Sequence, residues 1–384
     1  MDLLALERSL IGFNTISANA NLELVDFVVE QLKALDMAVT VLPNEDGDKA
    51  NVFATLGPPD VGGLMLAGHT DVVPVEGQAW KTDPFALTEA DGRFYGRGTA
   101  DMKSFIAQAL VTVEALRHRK FRLPLHLAFT YDEEVGCFGA GHMMERLGEI
   151  GQVLPACAVI GEPTGFQVFR MHKGMCRVRV TLTGVEGHSS KPTMGANTLY
   201  PAARIIQHLA EIGAERMARR SLEADFELPF TTVNAAVIRG GTAFNIIPNR
   251  TEFDFEYRTM PGEDPDYVLN QVRGFIDEVV LPDFRKQHTD TDVVVEKVMQ
   301  GEPMLAPPGA EIEALALELT GNSRATAAPF YTEGAIYNRA GIPTVICGPG
   351  DIDQAHRANE YITQEQLQQG LPFLGALVER VCLT

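Results

Sequence analysis

The chain has 384 residues, 45% of them hydrophobic and 22% charged, an ordinary globular composition with core enough for two or three domains. Its 32 basic and 51 acidic residues leave a formal charge of −19, which argues against nucleic acid or an anionic membrane surface as a partner, since both need a basic face. Cys137, Cys157, Cys176, Cys347 and Cys382 are odd in number with no C-x-x-C pair, so neither a disulfide framework nor a Cys-type zinc site is expected.

The first residues, Met-Asp-Leu-Leu-Ala-Leu-Glu-Arg, show no basic region leading into an apolar stretch. No apolar run approaches the roughly 20 residues of a membrane span. A cytoplasmic protein without membrane contact is the expectation.

Leu24, Phe27, Val28, Gln31, Leu32 and Leu35 follow helical spacing and predict a helix from about 20 to 36. Val39–Leu42 and Asn51–Leu56 read as a strand pair around a turn-rich segment. The short apolar run Leu64–Ala67 reads as a buried strand, and at its end His69 and Asp71 stand two apart, on one side of an extended chain. Asp91-Gly92 marks a hairpin-type turn, and Gly96-Arg-Gly-Thr-Ala-Asp101 breaks into a loop. Phe105, Ile106, Ala109, Leu110, Val113 and Leu116 predict the next helix. Leu125–Tyr131 is a strand running into Asp132-Glu133-Glu134; a helix over Gly139–Leu147 and a strand Cys157–Gly161 ending in Glu162 follow.

From about Met175 the pattern changes. Arg177–Gly184 and Thr251–Arg258 alternate strictly, as strands with one wet face do, whereas the earlier runs are apolar on both sides. With helices near 197–211 and 264–279 and a strand Thr232–Ile238, this stretch predicts a small antiparallel α+β module. The first texture then returns in a helix (311–319), a buried strand Pro343–Cys347, Gly348-Pro-Gly350, His356 and a final helix (364–381). The expected architecture is α/β: a mixed, largely parallel sheet with helices on both faces, formed by 1–174 and 300–384, with 175–299 inserted as a lid and dimerisation domain.

Four buried strands thus end in His69/Asp71, Glu133/Glu134, Glu162 and the loop bearing His356, and Asp101 follows a glycine loop. In open α/β sheets a ligand site lies beyond the carboxyl ends of the strands. Two His and three carboxylates converging there form the nitrogen and oxygen donor set that suits zinc, and also cobalt or manganese. Such a set serves amide or phosphoester hydrolysis equally well; a phosphatase would add Arg or Lys clamps.

Gly68-His-Thr-Asp-Val-Val-Pro74, Gly96-Arg-Gly-Thr-Ala-Asp-Met-Lys103, Asp132-Glu-Glu-Val-Gly136, Gly161-Glu-Pro-Thr164 and the late His356 resemble the dinuclear zinc aminoacylase/carboxypeptidase family, in order along essentially the whole chain. The resemblance implies two Zn2+ ions, with Co2+ or Mn2+ able to substitute. Asp101 would bridge them, His69 and Glu162 would complete one site, and Glu134 and His356 the other. Asp71 would hold His69, Glu133 would be the general base, and the peptide bond after Asp101 would be cis. Adjacent Glu133 and Glu134 diverge in an extended chain, so one can bind metal while the other moves a proton.

In the inserted stretch the resemblance implies that His188 and Asn245 stabilise the developing oxyanion, His188 across a homodimer formed through that domain, and that Arg258 binds the substrate carboxylate. His172-Lys-Gly174, Phe330-Tyr-Thr-Glu-Gly334 and Gly348-Pro-Gly350 with Asn359-Glu-Tyr361 are most similar to the acetylornithine deacetylase branch. That branch implies hydrolysis of N2-acetyl-L-ornithine to L-ornithine and acetate, in arginine biosynthesis, with Glu333 near the amino-acid end or the cationic side chain of this small N-acyl amino acid. A succinyl-diaminopimelate desuccinylase or another N-acyl-amino-acid hydrolase is the neighbouring alternative. A zinc scaffold without activity is the remote one, disfavoured by the presence of Glu133.

Overall fold

The computed structural model describes residues 1–220 and 225–383. Leu64–His69 is a central strand of a mixed sheet, and all six of its residues are buried. Leu125–Thr130 and Cys157–Ile160 flank it, both parallel to it, and Thr344–Ile346 continues the parallel array. Strands covered on both faces have no wet side, which is why these runs are continuously apolar. Ala50–Leu56 and Ala38–Pro43 extend one edge antiparallel, and Phe169–His172 lies antiparallel beside Thr344–Ile346. The fold is therefore mixed α/β with a largely parallel central sheet.

The helix Lys103–Leu116 explains why the sheet is stable where it carries chemistry. Phe105, Ile106, Ala109, Leu110 and Val113, spaced to share one side, are fully buried in a core with Leu64, Leu66, Leu125, Leu127 and Phe129. Each large side chain removed from water contributes roughly 1.5–3 kcal/mol. Two glycines let the strand ends draw together. A Cβ on Gly161 would lie 2.0 Å from the Phe105 ring, and one on Gly348 would lie 2.3 Å from the Gly161 carbonyl oxygen. Any larger residue at either position would force apart the turns that carry Glu162 and His356.

By spatial clustering the chain forms two compact units. One comprises Met1–Met171, Leu305–Ala328 and Thr332–Thr384; the other comprises His172–Met304 with Pro329–Tyr331. The return of 329–331 to the second unit is marked by no shift in composition. In the second unit an antiparallel sheet is ordered Thr232–Gly240, Arg250–Arg258, Met175–Thr183, Asp292–Gly301. Its alternation has the expected cause. Val178, Val180, Leu182, Phe253, Phe255 and Tyr257 form the core with Ile205, Leu209, Val268 and Val272 from two helices. Arg179 and Asp254, the partners between them, pair at 2.8 Å on the other face.

Some elements differ from expectation. A first helix, Leu3–Gly12, was not among those expected; the Asp2 carboxylate caps it by accepting the Ala5 N–H at 3.0 Å. The helix near 264–279 is regular only over Tyr267–Phe275 and opens into a wider turn over Ile276–Val280. Pro282 cannot donate to the carbonyl of Glu278, so the i→i−4 ladder cannot continue there. Among the described residues no helix is long and apolar enough to cross a membrane.

Candidate metal centre

The strand ends bring His69, Asp101 and Glu162 together, and a second trio, Asp101, Glu134 and His356, shares the same aspartate. Within each trio one donor atom per residue lies within 4.8 Å of the others. His69 Nε2 is 2.9 Å from Asp101 Oδ1, while His356 Nε2 is 3.3 Å from Asp101 Oδ2 and 2.9 Å from Glu134 Oε2. The two oxygens of Asp101 thus face different imidazoles, the placement a bridging carboxylate needs. The Asp101–Met102 peptide bond is cis, as the resemblance implies.

The donor set fits a pair of divalent cations on two grounds. Oε1 of Glu134 and Oε1 of Glu162 are buried and accept no hydrogen bond, although unpaired buried carboxylate oxygens are costly. Carboxylates are also crowded together out of water. Burial, then the Asp101 charge, pushes Glu162 well above the usual carboxylate range and Glu134 up to about 7. Burial likewise raises Glu133 far above its ordinary value, with Glu134 and Asp101 adding to the rise. Asp101 moves the other way: burial would raise it, but hydrogen bonds from His356 and His69 hold it below the ordinary range. Its hydrogen bond and that of Glu134 lift His356 to about 11. Four acids can share a dry site only with positive charge among them, and the imidazolium protons stand where cations would.

The elements position each donor differently. His69 ends its strand with Nδ1 donating to the backbone carbonyl of Asp71 at 2.9 Å, which directs Nε2 at Asp101. Asp71 thus holds His69 through its backbone carbonyl, and its carboxylate, 3.6 Å from Nδ1, makes further contacts. Its Oδ1 accepts the N–H of Glu133 at 3.0 Å, and its Oδ2 accepts the N–H of Glu134 at 3.3 Å and the hydroxyl of Ser17 at 2.6 Å. Asp71 therefore fixes the dipeptide that carries the expected base and one expected ligand. Asp132, just before that dipeptide, sits at φ 56° and is held by Lys49 Nζ at 2.6 Å. Ser17 and Lys49 were not anticipated; no spacing in the sequence links them to 132–134.

Glu333 is held by its own neighbours. It is 1% exposed, and its carboxylate accepts from the Thr130 hydroxyl and, at 2.9 Å, from the Tyr337 hydroxyl. Each oxygen of Glu333 thus accepts one hydrogen bond from within the chain. Glu133 has a further neighbour: Cys137 Sγ donates to its Oε1 at 3.3 Å.

The remaining expected residues lie in the second unit. His188 is exposed, and its Nδ1 accepts from the Ser190 N–H at 3.2 Å, which leaves Nε2 to carry the ring proton. The Asn245 carbonyl accepts the Ser189 N–H at 3.0 Å, so the loops bearing His188 and Asn245 are tied to each other. Arg258 pairs with Glu256 at 3.3 Å at the end of its strand.

The sequence matches the model of peptidase family M20/M25/M40 over residues 65–380. It is 35% identical over 380 residues to an acetylornithine deacetylase of Myxococcus xanthus, covering 97% of this chain and 96% of that one. An acetylornithine deacetylase of Proteus mirabilis is 32% identical over 385 residues, at 98% and 96% coverage. Among solved structures, an M20 family metallo-carboxypeptidase of Sulfolobus solfataricus superimposes with a TM-score of 0.79 at 18% identity, covering 99% of both chains. The strand-end ligands, the paired cation sites and these relatives converge on one conclusion: the chain belongs to peptidase family M20/M25/M40 and is a metal-dependent hydrolase of amide bonds.

Proposed function

We propose that this enzyme hydrolyses N2-acetyl-L-ornithine to L-ornithine and acetate, the amide cleavage that serves arginine biosynthesis. The observation that carries the amide chemistry is the placement of Asp101, with one oxygen toward each imidazole, beside a glutamate, Glu133, that belongs to neither trio. The substrate rests on the names of the relatives and on the local similarity around 172–174, 330–334 and 348–361. In this reading Asp101 bridges, His69 and Glu162 complete one site, and Glu134 and His356 the other. Two zinc ions, with cobalt or manganese able to stand in, would polarise the amide carbonyl and acidify a water.

The chain's own groups do the rest. Glu133, held by the Asp71 carboxylate through its backbone N–H, accepts the proton of the attacking water. Its raised pKa suits it to keep that proton and hand it to the departing amine. His188, with its ring proton on Nε2, and Asn245 donate to the charge that develops on the carbonyl oxygen, and Arg258 holds the substrate carboxylate. We assign Glu333 to supporting Thr130 and Tyr337 and not to contacting substrate.

We further propose a homodimer through the 175–299 region, because Thr232–Gly240 is an edge strand with Val237 and Ile238 exposed, a liability that a second copy would cover. All five cysteines are free, which suits the reducing conditions of a cytoplasm.

The test is acetate and amine release across N-acetyl-, N-formyl- and N-succinyl-amino acids, with the metal content measured on the same preparation. Acetylornithine should be the preferred substrate, at two metal ions per chain. Preference for a succinylated diacid would replace the substrate assignment. Turnover that survives exhaustive chelation would remove the metal mechanism altogether.

A further inference from the structure

A buried ion pair lies behind the expected ligands. Arg97 and Glu360 are each 1% exposed, and Arg97 Nη1 donates to Glu360 Oε2 at 2.5 Å. Burying two charges is stabilising only where their remaining hydrogen-bonding capacity is met. Here Arg97 Nε is left without a partner, and the rest is met by the loops that carry the metal-site donors. Glu360 Oε1 accepts three backbone N–H groups, those of Gly98 at 3.0 Å, Ala100 at 2.9 Å and Asp101 at 3.1 Å. Arg97 Nη2 donates to Gln78 Oε1 at 2.7 Å, and Gln78 Nε2 donates in turn to the His356 carbonyl at 3.0 Å. Longer contacts from Arg97 reach the carbonyls of Pro74 and Arg357, both at 3.4 Å. One network thus runs from the segment after Asp71, through the Asp101 loop, to the His356 loop.

His356 has particular need of it. Its side chain is 53% exposed, so packing does not fix it, and its backbone sits at φ 61°, a conformation that a non-glycine residue holds only when the surroundings impose it. Asn359 supplies a second tie to the same segment, its Oδ1 accepting the Lys81 N–H at 2.8 Å.

We propose that Arg97, Glu360 and Gln78 are positioning residues for the metal centre. Glu360 sets the backbone from which Asp101 reaches both trios, and Gln78 sets the carbonyl, and hence the loop geometry, of His356. The inference rests on the two-cation reading of the site and is independent of the substrate. It divides the labour by residue: loss of Gln78 weakens only the cation held by Asp101, Glu134 and His356, whereas loss of the Glu360 charge weakens both, because Asp101 serves both.

Cobalt(II) titration of the metal-free full chain, followed by visible absorption and by competition with a chelator, tests this without recourse to activity. The wild type should take up two equivalents. His356→Ala, lacking a ligand, defines the signature of a lost second site. Gln78→Ala, at a half-buried position on a surface loop, should keep one equivalent at wild-type affinity and bind the other about 10–100-fold more weakly, the usual cost of removing a group that orients a metal ligand. Glu360→Gln should weaken both equivalents.

A merely structural ion pair would lower the melting temperature and leave the cobalt titration of the folded protein unchanged. A folded Gln78→Ala that binds both equivalents within twofold of wild type therefore overturns the proposal, and it decides the matter even where Glu360→Gln does not fold. Wild-type protein that binds fewer than two equivalents would overturn the two-cation reading itself, a different failure.

Discussion

His69, Asp101 and Glu162 are buried to 5% exposure or less, whereas His188 and Asn245 stand on exposed loops of the second unit. In the first group His69 and Glu162 sit at the ends of parallel strands covered on both faces, and Asp101 sits in the glycine loop just before the helix Lys103–Leu116. The second sits between antiparallel strands with one wet face. Buried charges are costly unless every partner is in place, so the first region carries a dense support: Ser17 and Asp71 under Glu133 and Glu134, and Arg97 and Glu360 under Asp101. An exposed loop costs little to place and is held by little. In the second region the local support is Ser190, whose N–H and hydroxyl both meet His188 Nδ1, and main-chain bonds within and between the loops. The candidate metal centre is thus densely held from within its own unit, while the loops bearing His188 and Asn245 are exposed.

Four substitutions sharpen or break this contrast. Glu133→Gln should leave both cations bound and lower turnover by about 10²–10⁴-fold, since it removes the proton acceptor and no ligand. Near-normal turnover in the fully metallated variant, measured with its metal content, would end the role of Glu133. His188→Ala should also keep both cations and cost about 10²–10³-fold in kcat, as the loss of one oxyanion donor does. If His188 serves a partner's site, mixing this variant with Glu133→Gln should return activity to roughly a quarter of wild type per subunit, because half the dimers in a random mixture are heterodimers with one intact site. Subunit exchange without recovery would place His188 at its own chain's site or at none.

Asp71→Ala separates the two accounts of that residue. Losing an anchor of Glu133 and Glu134 should weaken cation binding about 10–100-fold, and Ser17→Ala, which removes one donor to the same carboxylate, should do the same more mildly. Unchanged affinity in Ser17→Ala and Asp71→Ala would show that the dipeptide holds its place without them.

The smallest effect lies away from the site. Burial raises Glu7 to about 7 against its ordinary 4.5, offset in part by the Ser104 hydroxyl. Between pH 4.5 and 7 the folded chain keeps a proton that the unfolded chain releases, so Glu7 makes stability fall as pH rises through that window. Glu7→Gln should flatten the melting temperature against pH over the same range. A wild-type slope in the variant would locate the titration elsewhere.

Much of this was legible because it depends on local pattern. Continuous apolar runs at 64–67, 125–131 and 157–161 could only be strands covered on both sides, and alternation at 177–184 and 251–258 could only be strands covered on one. His69, Glu134 and Glu162 stood out because each ends or follows such a run, whereas Asp101 follows a glycine loop and the ligand roles came from the resemblance. The support beneath them was not. Ser17 lies 54 residues from Asp71 and Glu360 lies 263 from Arg97, and neither has a periodicity that points to its partner. Glu333 was singled out by the resemblance alone, and only the tertiary structure shows it buried against Thr130 and Tyr337.

What the sequence determined by itself was therefore most of the strand and helix order, the first helix excepted, the residue types at the strand ends and, from their combination, a hydrolytic metal site. Those follow from side-chain periodicity and donor chemistry, which are properties of neighbours along the chain. Tertiary structure alone decided that Asp101 turns one oxygen to each imidazole, that the Asp71 carboxylate holds Glu133 and Glu134 while its backbone carbonyl takes His69, and that a buried Arg97–Glu360 pair ties the loops of the site together. Each of these depends on hydrogen bonds between residues brought together by the fold, whose geometry no one-dimensional spacing encodes.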